Sequence, residues 1–142
     1  MTIARLLLVT LAALAVAGSA AAAAGPAPPV IQEPFTALTC PLHPDTTIEI
    51  EACQEHRILR TDRAIDKAVK AIFGLLRSTD ARTSFVSGEQ AWLRYRRRSC
   101  AAESTVYAGG SAAPVAYLIC ELRRNQTHLA DLSAMRKTLA TH

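Results

Sequence analysis

Cys40, Cys53, Cys100 and Cys120 are the residues of this 142-residue chain whose type and spacing most invite a chemical reading. Four thiols could ligate a structural zinc, supply a nucleophile, or pair as two disulfides. A four-cysteine zinc site draws on closely spaced C-x2-C pairs, and this chain has none. A nucleophile requires a free thiolate, which an oxidising compartment removes. The disulfide reading fits best, because an even set of thiols in an exported chain forms a framework. Of three possible pairings, Cys40 with Cys53 and Cys100 with Cys120 is expected, each pair being close in sequence. The remaining chemistry-bearing residues do not converge. His43, His56, His128 and His142 are scattered, and no HExxH, Gly-rich phosphate loop or nucleophile elbow is present. Glu89 and Glu103 would lie roughly 21 Å apart along one helix, too far for a glycosidase pair. No catalytic residue, metal or cofactor is expected, and the chain reads as a binding module rather than an enzyme.

The cysteines must be positioned by helices, and Gly109-Gly110-Ser111 is the strong turn signal between two of them. Cys100 lies ten positions before Gly110 and Cys120 ten after it. At about 1.5 Å per residue both sulfurs reach one level of a helical hairpin, roughly 15 Å from the bend. The expected fold is all-α: a three-helix antiparallel bundle with two disulfides and an extended Pro-rich N-terminal arm. Thr46 followed by Glu49 forms a capping box for the first helix, whose stripe is Ile58, Ile65 and Ile72. Asp62, Arg63, Asp66, Lys67 and Lys70 on its other faces read as a solvated charge run. Gly74 and Arg77 to Asp80 mark the next break. The second helix carries Phe85, Trp92, Ser99 and Val106 at seven-residue intervals, with Gly88, Ser99 and Ala102 offering close backbone approach. Trp92 reads as a core residue and Arg96 as a stem covering the stripe. The third helix starts near Ser111, tolerates Pro114 in its first turn, and shows Leu118, Leu122, Leu129, Leu132 and Leu139 as its stripe. Cys120 falls off that stripe, which implies that Pro114 to Cys120 is clasped from two sides. The sequon Asn125-Gln126-Thr127 reads as chance.

Residues 1–24 read as a secretory signal, with Arg5 before the apolar run Leu6 to Ala17 and small residues after it. No cysteine follows directly, so a lipid anchor is not expected, and the destination is periplasmic or secreted. Residues 25–44 are the arm, which holds six of the seven prolines, Pro26 to Pro44, the seventh being Pro114. Residues 45–142 form the helical domain. The formal charge of +4 falls to +3 without Arg5, too weak to argue for nucleic acid.

From Cys53 onward the chain carries Cys53, Asp62, Gln90-Ala91-Trp92-Leu93-x-Tyr95-Arg96 leading to Cys100, and Tyr107-x-Gly109-Gly110-Ser111-x-x-Pro114 leading to Cys120, Leu122 and Arg124. In these residues it resembles the LprI-type lysozyme inhibitors, small exported bacterial domains. The resemblance implies a helical exported domain and a lysozyme-like muramidase as partner. The chain departs from the pattern at Arg97 and Ser99, where relatives commonly carry acids, so Arg94 to Arg98 is unusually basic. Two contact sites are therefore expected in competition. One is the hairpin tip, Tyr107, Gly109, Gly110 and Ser111, entering an enzyme cleft with little loss of entropy. The other is a basic face, Arg94, Arg97 and Arg98, meeting anionic lipid or polymer at the envelope or membrane surface, with no enzyme target.

Overall fold

The computed structural model describes residues 25–35 and 38–141; the expected signal, residues 1–24, lies outside the described residues. Helix α1 runs Thr47–Leu75, α2 Thr79–Ser104 and α3 Ala112–Ala140, with a short 3₁₀ turn, Thr105–Tyr107, between the last two. The start of α1 is fixed by the capping box the sequence shows. Thr46 Oγ1 accepts from the Glu49 amide at 3.3 Å, and Glu49 Oε2 accepts from the Thr46 amide at 2.9 Å. Leu76 leaves the helix in an extended conformation, and Ser78 caps α2 by accepting from the Ala81 amide at 3.1 Å. Pro114 sits in the first turn of α3, where an amide hydrogen would have no helical acceptor.

The helices run up, down and up. α3 packs along α1 and also along α2. Pairings fix the register: Asn125 of α3 meets Asp62 of the parallel α1, while Glu89 of α2 meets His128 of the antiparallel α3. Ile58, Ile65 and Ile72 are buried, as their seven-residue spacing requires. Burial of each contributes about 1.5–3 kcal/mol. Ile65, Val69, Ile72 and Leu132 form the apolar core, flanked by Phe85, Trp92, Leu129, Leu139 and the arm's Ile31.

Both disulfides form as expected. Cys40–Cys53 and Cys100–Cys120 have Cα separations of 4.6 and 5.4 Å. The arm is extended and runs antiparallel to α1: the Ile31 amide donates to Asp66 Oδ1 at 3.1 Å, and His56 Nε2 lies 2.8 Å from the Leu38 carbonyl. Cys40–Cys53 continues this line and ties the arm down.

Several expectations about faces are corrected. Val106 lies beyond α2 in the 3₁₀ turn and is 78% exposed, so it is no part of a core stripe. Gly88 and Ala102 are exposed, and a Cβ built on Gly88 would meet nothing within 4 Å, so neither serves close backbone approach. The charge run of α1 is not uniformly solvated. Arg63, Lys67 and Lys70 are exposed, but Asp62 is buried and Asp66 half-buried. Cys120 is fully buried, and so is its neighbour Glu121, because this part of α3 is enclosed by α1 and α2 together.

Candidate functional site

The tip is built from the end of α2 upward. The Thr105 hydroxyl turns back to the Ala102 carbonyl at 2.7 Å, the chain tightens into the 3₁₀ turn, and the Gly110 amide donates to the Tyr107 carbonyl at 3.1 Å. Gly109 has φ of +84°, the left-handed region where a side chain is strained, so the reversal needs a glycine there. Gly110 needs it less: a Cβ would sit 3.5 Å from the Tyr107 carbonyl, an ordinary contact. Tyr107, Gly109, Gly110 and Ser111 are exposed together, and Val106 beside them adds an apolar side chain that the sequence reading did not place there. Val106 and Tyr107 thus face water at the end of the bundle.

Below the tip lies Cys100–Cys120, with both cysteines wholly buried. Below the disulfide lies a polar layer. Arg96 is completely buried, and its guanidinium meets three carboxylates from three parts of the chain. Nη1 donates to Asp62 Oδ1 of α1 at 2.9 Å and to Asn125 Oδ1 of α3 at 2.8 Å. Nη2 pairs with Glu33 of the arm, and Nε stands 3.4 Å from Glu121 Oε1. Asn125 Nδ2 donates to Asp62 Oδ1 at 2.7 Å and Thr61 Oγ1 at 2.9 Å, and the Tyr117 hydroxyl donates to Glu121 Oε1 at 2.9 Å. Arg96 is therefore not a surface stem over a stripe, as its position beside Trp92 suggested. It ties all three helices and the arm to one point.

Asp62 and Glu121 are both pushed toward holding their protons, first by burial. Burial pushes Asp62 up, with the Arg96 charge opposing and Glu33 adding to the rise. Burial likewise raises Glu121, again against Arg96. Tyr117 is pushed up to about 12 by burial and the Glu121 charge. Burial alone would lower Arg96, but the charges of Glu121, Glu33 and Asp62 outweigh it, so its pKa rises and it stays cationic. Asp62, Arg96, Glu121 and Asn125 at its centre are buried, so the layer positions helices rather than handling substrate. The buried Asn125 also bars glycosylation at its sequon.

Arg94, Arg97 and Arg98 are exposed on α2, whereas Arg96 among them is buried. The guanidinium of Arg124 of α3 lies 5.3 Å from the Tyr95 ring centre. His128 is not an isolated histidine. Its ring stacks on Trp92 with centres 3.8 Å apart, and Nε2 lies 2.9 Å from the buried Glu89 carboxylate. Glu103 pairs instead with exposed Arg123 at 2.6 Å. Among the described residues no group of three His, Cys, Asp or Glu side chains is placed to hold a metal ion.

Sequence reasoning missed Glu33, Glu121, Asn125, Glu89 and His128. Periodicity assigns such residues to water, and only Asp62 and Arg96 carried a signal, through the family resemblance.

Searches of curated proteins and of solved structures found no match. A family model described as "Lysozyme inhibitor LprI" matches residues 40–132, a span that holds both disulfides, the tip, Asp62, Arg96, Glu121 and Asn125. With well over half of its length under that match, the chain belongs to the LprI lysozyme inhibitor family.

Proposed function

We propose that this chain is an exported protein-binding module that inhibits a lysozyme-type muramidase by inserting the Tyr107–Ser111 tip into the enzyme's cleft. The observation that carries the reading is an exposed apolar tip, Val106 and Tyr107, backed by a fully buried disulfide. A knuckle braced in this way loses little conformational freedom on docking, so more of its contact energy remains as affinity. Its backbone amides and carbonyls and the Ser111 hydroxyl would compete for contacts that a glycan chain makes. The disulfides fit an oxidising compartment, in keeping with a cleaved signal at residues 1–24 and a periplasmic or secreted destination. The test is a turbidity assay of bacterial cell-wall lysis with purified oxidised protein against several lysozyme classes. Inhibition of at least one class is expected, and lysis at the uninhibited rate in all of them rejects the reading.

A second reading rests on Arg94, Arg97 and Arg98, which stand exposed around Tyr95, and among the described residues no carboxylate lines the hollow between Arg94, Tyr95 and Arg98. This face would meet anionic lipid at the envelope. Salt separates the two readings, because exposed ion contacts fade above physiological ionic strength and a packed apolar tip does not.

A further inference from the structure

The charges of α1 are sorted by face in a way that the balanced sequence conceals. At about 100° per residue, His56, Arg60, Arg63, Lys67 and Lys70 follow at steps of four and three and fall within one narrow sector. All five are exposed. Glu51, Glu55, Asp62 and Asp66 fall on another sector, where Asp62 turns into the polar layer and Asp66 toward the arm. Asp62 is consumed by Arg96 and Asn125, and Asp66 by the Ile31 amide. What remains toward solvent between the arm and α3 is cationic over about 15 Å from Arg60 to Lys70.

The hollows along this strip have the same sign. One of about 480 Å³ is lined by His56, Arg60 and Arg63 against the arm's Leu38 to Cys40. A second, about 350 Å³, holds Arg57 and Arg60 beside Gln126, and a third, about 310 Å³, holds Lys67 with Arg136, Lys137 and Ser133 of α3. Among the described residues, no carboxylate lines any of the three. Surface cations usually alternate with acids along a solvated helix, which lowers their mutual repulsion. Here like charges stand at i, i+3 and i+4, and among the described residues Arg60, Arg63, Lys67 and Lys70 form no ion pair, an arrangement that an external anion would stabilise.

We infer that the α1 face from His56 to Lys70, with Arg136 and Lys137 of α3, is a docking surface for a linear phosphodiester polymer. The shape is a strip rather than a pocket, which suits an extended chain bearing repeated charges. Four of its cations, Arg57, Arg60, Arg63 and Arg136, carry the planar fork that matches phosphate oxygens. The disulfides fit an oxidising compartment, so the polymer is one of the cell envelope rather than a nucleic acid. α1 begins at the same end of the bundle as the tip, and Arg60 lies about 20 Å along it from Thr47. The strip can therefore hold polymer while the tip stays free, which would keep the protein on the wall that a muramidase attacks.

The probe is poly(glycerol phosphate) of defined length, titrated into the full oxidised domain at several salt concentrations. Wild type is expected to bind with log K falling against log salt at a slope of about −3, from four neutralised phosphates at roughly −0.7 each. The variant Arg60→Gln/Arg63→Gln/Lys67→Gln/Lys70→Gln is expected to bind at least about tenfold more weakly and to lose that slope. Arg94→Gln/Arg97→Gln/Arg98→Gln is expected to bind as wild type does. Equal losses in both variants, absence of binding at about 0.15 M salt, or equal binding of poly(glutamic acid) overturns the assignment. Tighter binding to phosphatidylglycerol vesicles than to the polymer also overturns it. The substituted positions are exposed, so helical circular dichroism is expected unchanged. Muramidase inhibition by the four-fold α1 variant should equal that of wild type, which separates failure of this surface from failure of the tip.

Discussion

Arg96 of α2 donates through Nη1 to Asp62 of α1 at 2.9 Å, and this contact joins two helices inside a bundle whose apolar core is small. The same nitrogen reaches Asn125 of α3 at 2.8 Å, so a single side chain fixes the relative height of all three helices. An apolar stripe tolerates sliding by a turn, whereas a forked donor with matched acceptors does not. The height matters because the tip stands on the ends of α2 and α3.

Removing the guanidinium leaves buried carboxylates without their cation. Arg96→Met is expected to destabilise the domain by about 3–5 kcal/mol, a large part of the stability of a domain this size. Arg96→Lys should recover only part of the loss, because an ammonium cannot serve Asp62, Asn125, Glu33 and Glu121 in one plane. Urea unfolding followed by circular dichroism measures both. A loss below about 1 kcal/mol for Arg96→Met would show that the layer does not hold the bundle.

The raised pKa of Glu121 gives a pH dependence with a definite sign. A carboxyl whose pKa is higher in the folded state contributes its stability below the unfolded value and loses it as pH rises through the folded value. Wild type should therefore exceed Glu121→Gln in stability most at the acidic end, and the gap should narrow toward neutral pH. Asp62→Asn should follow the same course, since burial raises Asp62 too. Urea midpoints compared between about pH 4 and pH 8 test this. A gap that widens with rising pH would mean that Arg96 holds these carboxyls down instead.

The stack of His128 on Trp92 offers a spectroscopic handle. His128→Ala removes a ring lying 3.8 Å from the indole. It should cost about 1 kcal/mol and change the emission of the single tryptophan. Glu89→Gln keeps the shape of the buried partner and should leave the stack in place. Unchanged fluorescence in His128→Ala would mean that the rings do not stack in solution.

Much of the framework was legible in the sequence, for physical reasons that can be named. The Thr46–Glu49 box, the Ile58, Ile65 and Ile72 spacing and the Gly109-Gly110-Ser111 turn are local signals, each read within a few residues. The Cys100–Cys120 bond followed from equal distances to one bend. The polar layer was not legible, because its members lie far apart: Glu33 is in a proline-rich arm, Arg96 amid exposed arginines, and Asn125 within a polar run. Periodicity sends charge to the surface, and only a partner from another helix reverses that. One trace did exist in Cys120, whose place off the leucine stripe required that α3 be enclosed on two sides. Glu121 beside it is buried for the same reason.

Each disulfide should be worth about 3 kcal/mol on the chain-entropy model, but their effects on function should differ. Cys100→Ser/Cys120→Ser loosens the tip and should weaken inhibition of a sensitive muramidase beyond its effect on stability at working temperature. Cys40→Ser/Cys53→Ser releases the arm that carries Glu33, so it should lower the urea midpoint while leaving inhibition near wild type as long as the domain remains folded. Equal loss of inhibition in both double variants, at matched folded fraction, would argue against the tip as the contact.

The two glycines of the tip make the sharpest test of insertion, because their backbones differ. Gly109 is held at φ +84°, so Gly109→Ala should strain the bend by about 1–2 kcal/mol and alter its outline. Gly110→Ala has room and should change little. Val106→Ser and Tyr107→Ser, both at exposed positions, should leave stability within about 0.5 kcal/mol. If Tyr107 anchors the contact, losing its ring should weaken inhibition about thirtyfold, the cost of a 2 kcal/mol interface residue. The pattern required is full helical content in all four variants, strong loss of inhibition in Tyr107→Ser and Gly109→Ala, and near-normal inhibition in Gly110→Ala. Unaltered inhibition in Tyr107→Ser and Val106→Ser together would remove the tip from the interface, because nothing else about those side chains holds the fold.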